Sequence, residues 1–422
     1  MKILIVGSGG REHTLAWKIA QSPLVEKIYA SPGNGGMAGI AECVDIENTD
    51  ITGLAEFALE TGIDLTVVGP EAPLVAGIAD EFKKRGLRVF GPDGRAALLE
   101  GSKVFSKEFM KRHNIPTGDF RVFDDYSEAL AQEGIFGFPV VIKADGLAAG
   151  KGVIIASDRQ EAEAALKQIM IEKKFGSAGD RVLVEEFLEG IEMTMLCFVD
   201  GKTIVPMESA RDYKRIFDGD RGPNTGGVGT FSPNDVYTPD IEREFHTRIM
   251  QPVVEALNKE NIVYRGVLYF GLMVTGDGIK ILEFNCRFGD PESQVILPRL
   301  DSDLVEIMNS VVDGRLNEQE VKWSDKSCVC VVLTSGGYPG SYRKGVLIEG
   351  LEGLGGDDIF AFHAGTKLVE GRFYTNGGRV LGITGLGADM KEARRRAYDA
   401  AEKVRFEGMQ YRKDIAELRN RA

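Results

Sequence analysis

The stretch Lys143-Ala-Asp-Gly-Leu-Ala-Ala-Gly-Lys-Gly-Val153 decides the fold. Apolar runs, FPVVI before it and VIIA at its end, bracket a glycine-rich turn, so the segment reads as strand, turn, strand. It looks like a phosphate-binding P-loop, G-x-x-x-x-G-K-[ST], but departs from that pattern twice. Only three residues separate Gly146 from Gly150, and Gly152 stands where a magnesium-binding hydroxyl is needed. What remains is a glycine flap, entered by Lys143 and carrying Lys151, of a kind that covers the phosphates of a nucleotide.

Around the flap, residues 119–187 read as a small α/β unit that the strand RVLVEEFLEG leaves. Upstream, residues 1–101 alternate apolar strands (KILIVG, KIYAS, DLTVVGP, RVFGP) with amphipathic helices, the pattern of a parallel sheet with helices on both faces. Ligands of such sheets bind at the carboxyl ends of the strands, here GSGG, GNGG and Gly69-Pro-Glu71. Downstream of the hinge, residues to 325 are mixed, and a β-rich segment opening with SCVCVVL occupies 326–422. The expected architecture is therefore α/β: an N-terminal Rossmann-like domain (1–101), a central region (102–325) with its mobile flap, and a β-rich C-terminal domain.

Composition narrows the function. The 422 residues include 52 glycines without a collagen period, and the charge is −13, which argues against a broad nucleic-acid-binding surface. No apolar run approaches the ~18 residues of a membrane span, so no membrane partner is expected. MKILIVG reads as a buried strand, not as a signal peptide. Five cysteines without a C-x-x-C pair point to a reducing cytoplasm, with Cys328 and Cys330 as core packing.

Several motifs carry chemistry. Gly7-Ser-Gly-Gly-Arg-Glu-His13 follows a strand and opens a helix, a ready anion site to which Arg11 adds a phosphate-binding guanidinium. A dinucleotide fingerprint fails at its third glycine, which is Glu12. Lys280-Ile-Leu-Glu-Phe-Asn-Cys-Arg-Phe-Gly-Asp-Pro-Glu292 places Glu283, Asn285 and Arg287 on one face of a strand and Phe284, Cys286 and Phe288 on the other. A carboxylate and an amide oxygen at that spacing suit Mg²⁺. Arg287 could clamp a carboxylate or phosphate, and Asp290 could bind an ammonium group. The loop Arg211–Gly229 is too rich in charge and glycine for a core element and reads as an ordered substrate loop.

In their order, GSGGREH, GPEAPLVAGI, GSKVFSKEFM, IKADGLAAGKGV, EEFLEG, DGDRGPNTGGVG and EFNCRFGDPE resemble the glycinamide ribonucleotide synthetase family of ATP-grasp ligases along the full chain. The resemblance implies an ATP-dependent ligase that joins glycine to 5-phosphoribosylamine through glycyl phosphate. The alternative is another ATP-grasp carboxylate–amine ligase of purine metabolism. It implies ATP contacts from Lys103, Lys143 and the flap (Gly150, Lys151, Gly152), and adenine and ribose contacts from Glu185, Glu186, Leu188 and Glu192. Mg²⁺ or Mn²⁺ would sit on Glu283 and Asn285. Phosphoribosylamine would lie against Gly9, Gly10, Arg11 and Glu71, and glycine near Asp212, Arg287 and Asp290, with Lys214 and Asn224 in the substrate loop. Asp290 or Asp212 would orient or deprotonate an amine. Tyr213 stands where the family more often has His, and Arg211 where a small or amide side chain is expected. Small-molecule substrates and a monomer are expected.

Overall fold

The structure is a computed structural model that describes residues 1–148 and 152–417. The N-terminal strands β1 (Lys2–Gly7), β2 (Lys27–Pro32), β3 (Glu42–Cys43), β4 (Leu65–Val68) and β5 (Val89–Phe90) form a parallel sheet in the order β3-β2-β1-β4-β5. The order reverses at β1, so its carboxyl end is a switch point. There the helix α1 (Gly10–Ile19) begins directly after the glycine turn.

The flap unit is a four-stranded sheet of β6 (Phe120–Phe123), β7 (Val140–Ala144), β8 (Val153–Ala156) and β9 (Val182–Glu186), ordered β6-β9-β7-β8. β7 and β8 pair antiparallel on either side of the glycine turn. Beyond the hinge come β10 (Ile191–Val199) and β11 (Ile204–Pro206). The substrate loop follows with β12 (Arg211–Asp212), β13 (Arg215–Phe217), β14 (Arg221–Asn224) and β15 (Gly229–Ser232). β16 (Gly266–Thr275) and β17 (Gly278–Asn285) complete the central sheet, ordered β11-β10-β16-β17.

The last domain contributes β18 (Ser327–Thr334), β19 (Leu347–Ile348), β20 (Ile359–His363), β21 (Thr366–Val369), β22 (Arg372–Thr375) and β23 (Arg379–Gly387). Its main sheet runs β12-β15-β18-β23-β20, so two strands of the substrate loop cross the boundary expected at 325. The physical reason lies in β18, which is buried along its whole length and therefore needs partners on both edges and both faces. Cys328 and Cys330 pack into one core with Ile3, Phe198 and Val295, whereas Val329 and Val331 face the helix Met390–Ala401 side. One apolar core thus runs through all three sequence-defined regions.

The seam between the first and last domains holds two buried histidines. The His363 backbone N–H donates to His13 Nδ1 at 2.7 Å, and His363 Nδ1 lies 3.0 Å from Thr366 Oγ1. Burial lowers His363 to about 4; burial and the neighbouring His363 lower His13 to about 3. An unfolded chain takes up protons that this fold refuses, so stability falls as pH drops below about 6.5, by up to ~1.4 kcal/mol per pH unit for each histidine. Urea unfolding between pH 7 and 5 should show this slope, and His13→Gln should reduce it. A slope unchanged by that substitution would contradict the assignment.

Candidate active site

The chemistry-bearing face of the central sheet depends on a bulge. Gly271 of β16 pairs with Glu283, but the next residue, Leu272, pairs with Ile281, so Leu282 is an extra residue in β17. Before the bulge the odd positions Ile279 and Ile281 are buried; after it the even positions Phe284, Cys286 and Phe288 are buried. One inserted residue therefore turns Glu283 and Asn285 out of the core.

Lysines from separate elements surround Glu283. Lys143, on β7, donates to the Leu282 carbonyl at the bulge (3.3 Å), and Lys103, at the start of the helix Lys103–Arg112, donates to the Gly146 carbonyl of the flap turn (2.9 Å). Burial pushes the Glu283 carboxyl up, but Lys214, Lys143, Lys103 and Arg287 outweigh it and hold it below the usual carboxylate range. Among the described residues no hydrogen bond or ion pair engages that carboxylate. The flap turn is itself anchored: Asp145 accepts from Ser102 Oγ (3.0 Å), the Val104 N–H (3.1 Å) and Arg181 (2.6 Å).

Behind the flap, Glu185 is buried with Lys143 and Lys107, both 2.9 Å from its Oε2. Lys107 also donates to Thr117 Oγ1 at 2.8 Å. Glu186 turns the other way, its Oε1 accepting from the Asp119 N–H and Lys280, each at 3.0 Å. Leu188 lies near Gly118 at the hinge. Glu192 on β10 pairs with Lys214 at 3.1 Å. Beside them Asp212 is pushed up to about 7, first by burial, with Glu292, Glu192 and Glu283 acting in the same direction against Lys214.

At the end nearest the first domain, Arg287 lies 2.9 Å from Glu100 and 3.3 Å from Glu71, and donates to Asn285 Oδ1 (3.4 Å) and the Phe288 carbonyl (3.2 Å). Asp290 accepts from Gln294 (2.9 Å) and from Arg379 of the last domain (2.9 Å). Asn34 stitches the glycine turns together, donating to the Ser8 carbonyl (2.9 Å) and, across the seam, to the His363 carbonyl (2.8 Å).

Several expectations need correcting. Arg11 does not present a free guanidinium: it is buried, pairs with Glu12 at 2.5 Å and donates to the Phe288 carbonyl. Glu12 itself accepts from the Gly9 N–H at 2.5 Å, so the protein's own carboxylate occupies part of the anion site at the start of α1. Arg287 is likewise already held by two carboxylates. Asn224 lies opposite Arg215 in the two-stranded β13–β14 ribbon. Gly150 and Lys151 lie outside the described residues; Gly152 is described, its carbonyl accepting from the Ala144 N–H at 2.9 Å. The unusual pair Arg211 and Tyr213 points away from this cluster. Tyr213 packs in the core of the last domain, its hydroxyl accepting from the Ala416 N–H, with Arg211 and Arg412 over its ring at 5.7 and 4.7 Å.

Lys107, Glu100, Gln294 and Arg379 escaped the sequence reading. Lys107 had a signal, since it stands four residues after Lys103 on one helix face. Arg379 had none, being 89 residues from Asp290.

A small sheet bearing a glycine turn, its lysine reaching the acidic and amide face of a second sheet, is the architecture of an ATP-grasp enzyme. Residues 1–100, 101–293 and 328–418 match, in turn, the N domain, the ATP-grasp (A) domain and the C domain of phosphoribosylglycinamide synthetase. The chain belongs to that family. It is 52% identical to the phosphoribosylamine–glycine ligase of Caldanaerobacter subterraneus, covering 99% of each chain, and 50% identical to that of Yersinia pestis, covering 98% of each. The crystal structure of the Thermotoga maritima phosphoribosylamine–glycine ligase superposes with a TM-score of 0.86 at 36% identity, over 98% of this chain and 100% of that one. The biotin carboxylase domain of Hydrogenobacter thermophilus 2-oxoglutarate carboxylase shares the fold alone, with a TM-score of 0.74 at 19% identity over 97% of this chain and 91% of that one. Among the described residues no helix is long and apolar enough to cross a membrane.

Lys107→Met removes one of the two cations on the buried Glu185 carboxylate, together with the hydrogen bonds to Thr117 Oγ1 and the Gly118 carbonyl, and leaves Glu185 to Lys143. It should cost about 2 kcal/mol of stability in urea unfolding. A loss below about 1 kcal/mol would show that Lys143 alone satisfies Glu185.

Proposed function

We propose that this chain joins glycine to 5-phosphoribosylamine with ATP, by way of glycyl phosphate, releasing glycinamide ribonucleotide, ADP and phosphate. The observation that carries this reading is the Glu283 carboxylate: turned out by the bulge, held ionised by three lysines and an arginine, and set beside the Asn285 amide. Whole-length similarity to ligases named for this reaction supports it.

Glycine's carboxylate is a poor electrophile, so one of its oxygens first attacks the γ-phosphorus of ATP and ADP departs. The amine of phosphoribosylamine then attacks the activated carbonyl, and phosphate leaves with the acyl oxygen. No enzyme nucleophile is needed. The protein's part is to position reactants and offset phosphate charge.

Lys103 and Lys143 reach the flap turn and the bulge, where they would meet the phosphates. The hinge at Glu185, Glu186 and Leu188 would hold the adenine, with Glu192 on the ribose; Lys214 would give up Glu192 to the sugar and remain beside Asp212. Glu283 and Asn285 suit a magnesium or manganese ion: both ligands are hard oxygens, and the carboxylate has no protein partner among the described residues. Bound there, the cation would neutralise charge on the transferring phosphoryl group. The flap would exclude water, which hydrolyses acyl phosphates.

Two carboxylates compete to accept the amine proton. Asp290 has both oxygens engaged, and although burial pushes it up, Arg379, Arg11 and Gln294 hold it low. Asp212, pushed up to about 7, is a better match to a proton leaving an amine near neutral pH, and we assign it that role. Glycine would lie between Asp212, Arg287 and Asp290, and phosphoribosylamine against Gly9, Gly10 and Glu71. We place the enzyme in the cytoplasm as a monomer.

Glu283→Ala should reduce glycine-dependent ADP release at least about a hundredfold with the fold intact by circular dichroism; normal turnover would sink the metal assignment. Asp212→Asn should lower turnover about a hundredfold and leave nucleotide binding near its original strength. If nucleotide affinity fell in parallel, Asp212 would belong to the nucleotide site instead.

A further inference from the structure

We propose that Arg379 gives the C-terminal domain a direct part in the reaction, as a positioning residue that locks the Asp290 turn and the substrate loop against the glycine turn of the first domain. This rests on the reading of the site given above.

The argument begins with what the guanidinium holds. One of its nitrogens, Nη1, donates to the carbonyls of Gly226 (2.6 Å) and Asp290 (2.7 Å), and Nη2 donates to Asp290 Oδ2 (2.9 Å). The same loop is tied a second time from the C-terminal domain, where the Gly226 N–H donates to the Tyr338 hydroxyl at 3.2 Å. Arg379 itself opens β23, a long strand paired along its length with β18, so the guanidinium projects from a rigid support.

From Asp290 the chain of contacts continues into the first domain. Oδ1 accepts from Gln294 Nε2, and both side chains press on the glycine turn. A Cβ at Gly9 would stand 3.2 Å from Asp290 Oδ2, and one at Gly10 only 2.5 Å from Gln294 Nε2. Arg379, Asp290, Gln294 and the Gly9–Gly10 backbone are therefore one contiguous stack spanning all three regions of the chain. Its middle member is the carboxylate expected at the amine substrates. A carboxylate with two donors still has lone pairs to accept from an ammonium group or an amine, and the two donors fix where those lone pairs point.

Arg379 grips two carbonyls and a carboxylate with two nitrogens of one rigid planar fork, whereas a lysine ammonium is a compact point charge on a flexible stem and does not reproduce that fixed geometry. If Arg379 were only a staple between domains, its loss would lower stability and affect every substrate alike. A positioning role instead confines the effect to the substrates that Asp290 and the 224–229 loop serve.

The test is steady-state kinetics on the full-length chain with ATP, glycine and phosphoribosylamine varied in turn, together with thermal unfolding. Arg379→Gln should raise the KM of glycine or of phosphoribosylamine at least about tenfold, the loss of one charge-assisted hydrogen bond, while the KM of ATP stays within about twofold. Arg379→Lys keeps the charge and loses the fork, so its KM should stay raised. Asp290→Asn should show the same selective rise, and the double variant Arg379→Gln/Asp290→Asn little more than either alone. Unchanged KM values in both Arg379 variants, a rise shared equally by ATP, or fully additive effects would overturn the proposal. If the unsubstituted chain does not join glycine to phosphoribosylamine, the functional reading fails on its own, separately from the role of Arg379.

Discussion

A single inserted residue in β17 sets what the central sheet offers to its ligands. Without the bulge at Leu282, the parity of Ile279 and Ile281 would continue, and Glu283 and Asn285 would enter the apolar core. Burying a carboxylate there would cost several kcal/mol. With it, the hydrophobic set changes parity and Phe284, Cys286 and Phe288 take over the packing. The bulge also offers the Leu282 carbonyl to Lys143 of the flap sheet, so the same irregularity links the flap sheet to the central sheet.

The charges around this point explain how an acidic chain can handle anionic substrates. The net charge of −13 belongs to the whole surface. Locally, Lys103, Lys107, Lys143 and Lys214 converge on Glu185, Glu192 and Glu283, each lysine from a different stretch of chain or helical turn. Pairing offsets part of the burial cost of each ion. At the opposite end the balance reverses: Arg287 is outnumbered by Glu71, held low by Arg287 and Arg11 against the push of burial, and by Glu100, which burial pushes up.

The substrate loop shows how the same residues serve two masters. Strand alternation sends Asp212 and Lys214 toward the site and Arg211 and Tyr213 into the C-terminal domain, where Arg412 stacks on the tyrosine. The unusual Arg211 and Tyr213 beside Asp212 are thus a packing choice. This loop supplies β12 and β15 to the last domain's sheet, which is why that domain cannot be separated from the chemistry as cleanly as composition suggests.

From the sequence alone one can read the parallel-sheet domain, the strand–turn–strand flap and the Glu283–Asn285 pair, because each follows from local periodicity and glycine placement within a dozen residues. The failed third glycine at Glu12 is legible for the same reason. What the chain order does not reveal are interactions closed over long separations. Arg11 and Arg287, which local spacing offers to a ligand, form ion pairs with Glu12, Glu71 and Glu100, and Arg379 reaches Asp290 across 89 residues. A side chain's type and local face are set by sequence spacing; the partner that takes up its charge is decided only when the domains pack.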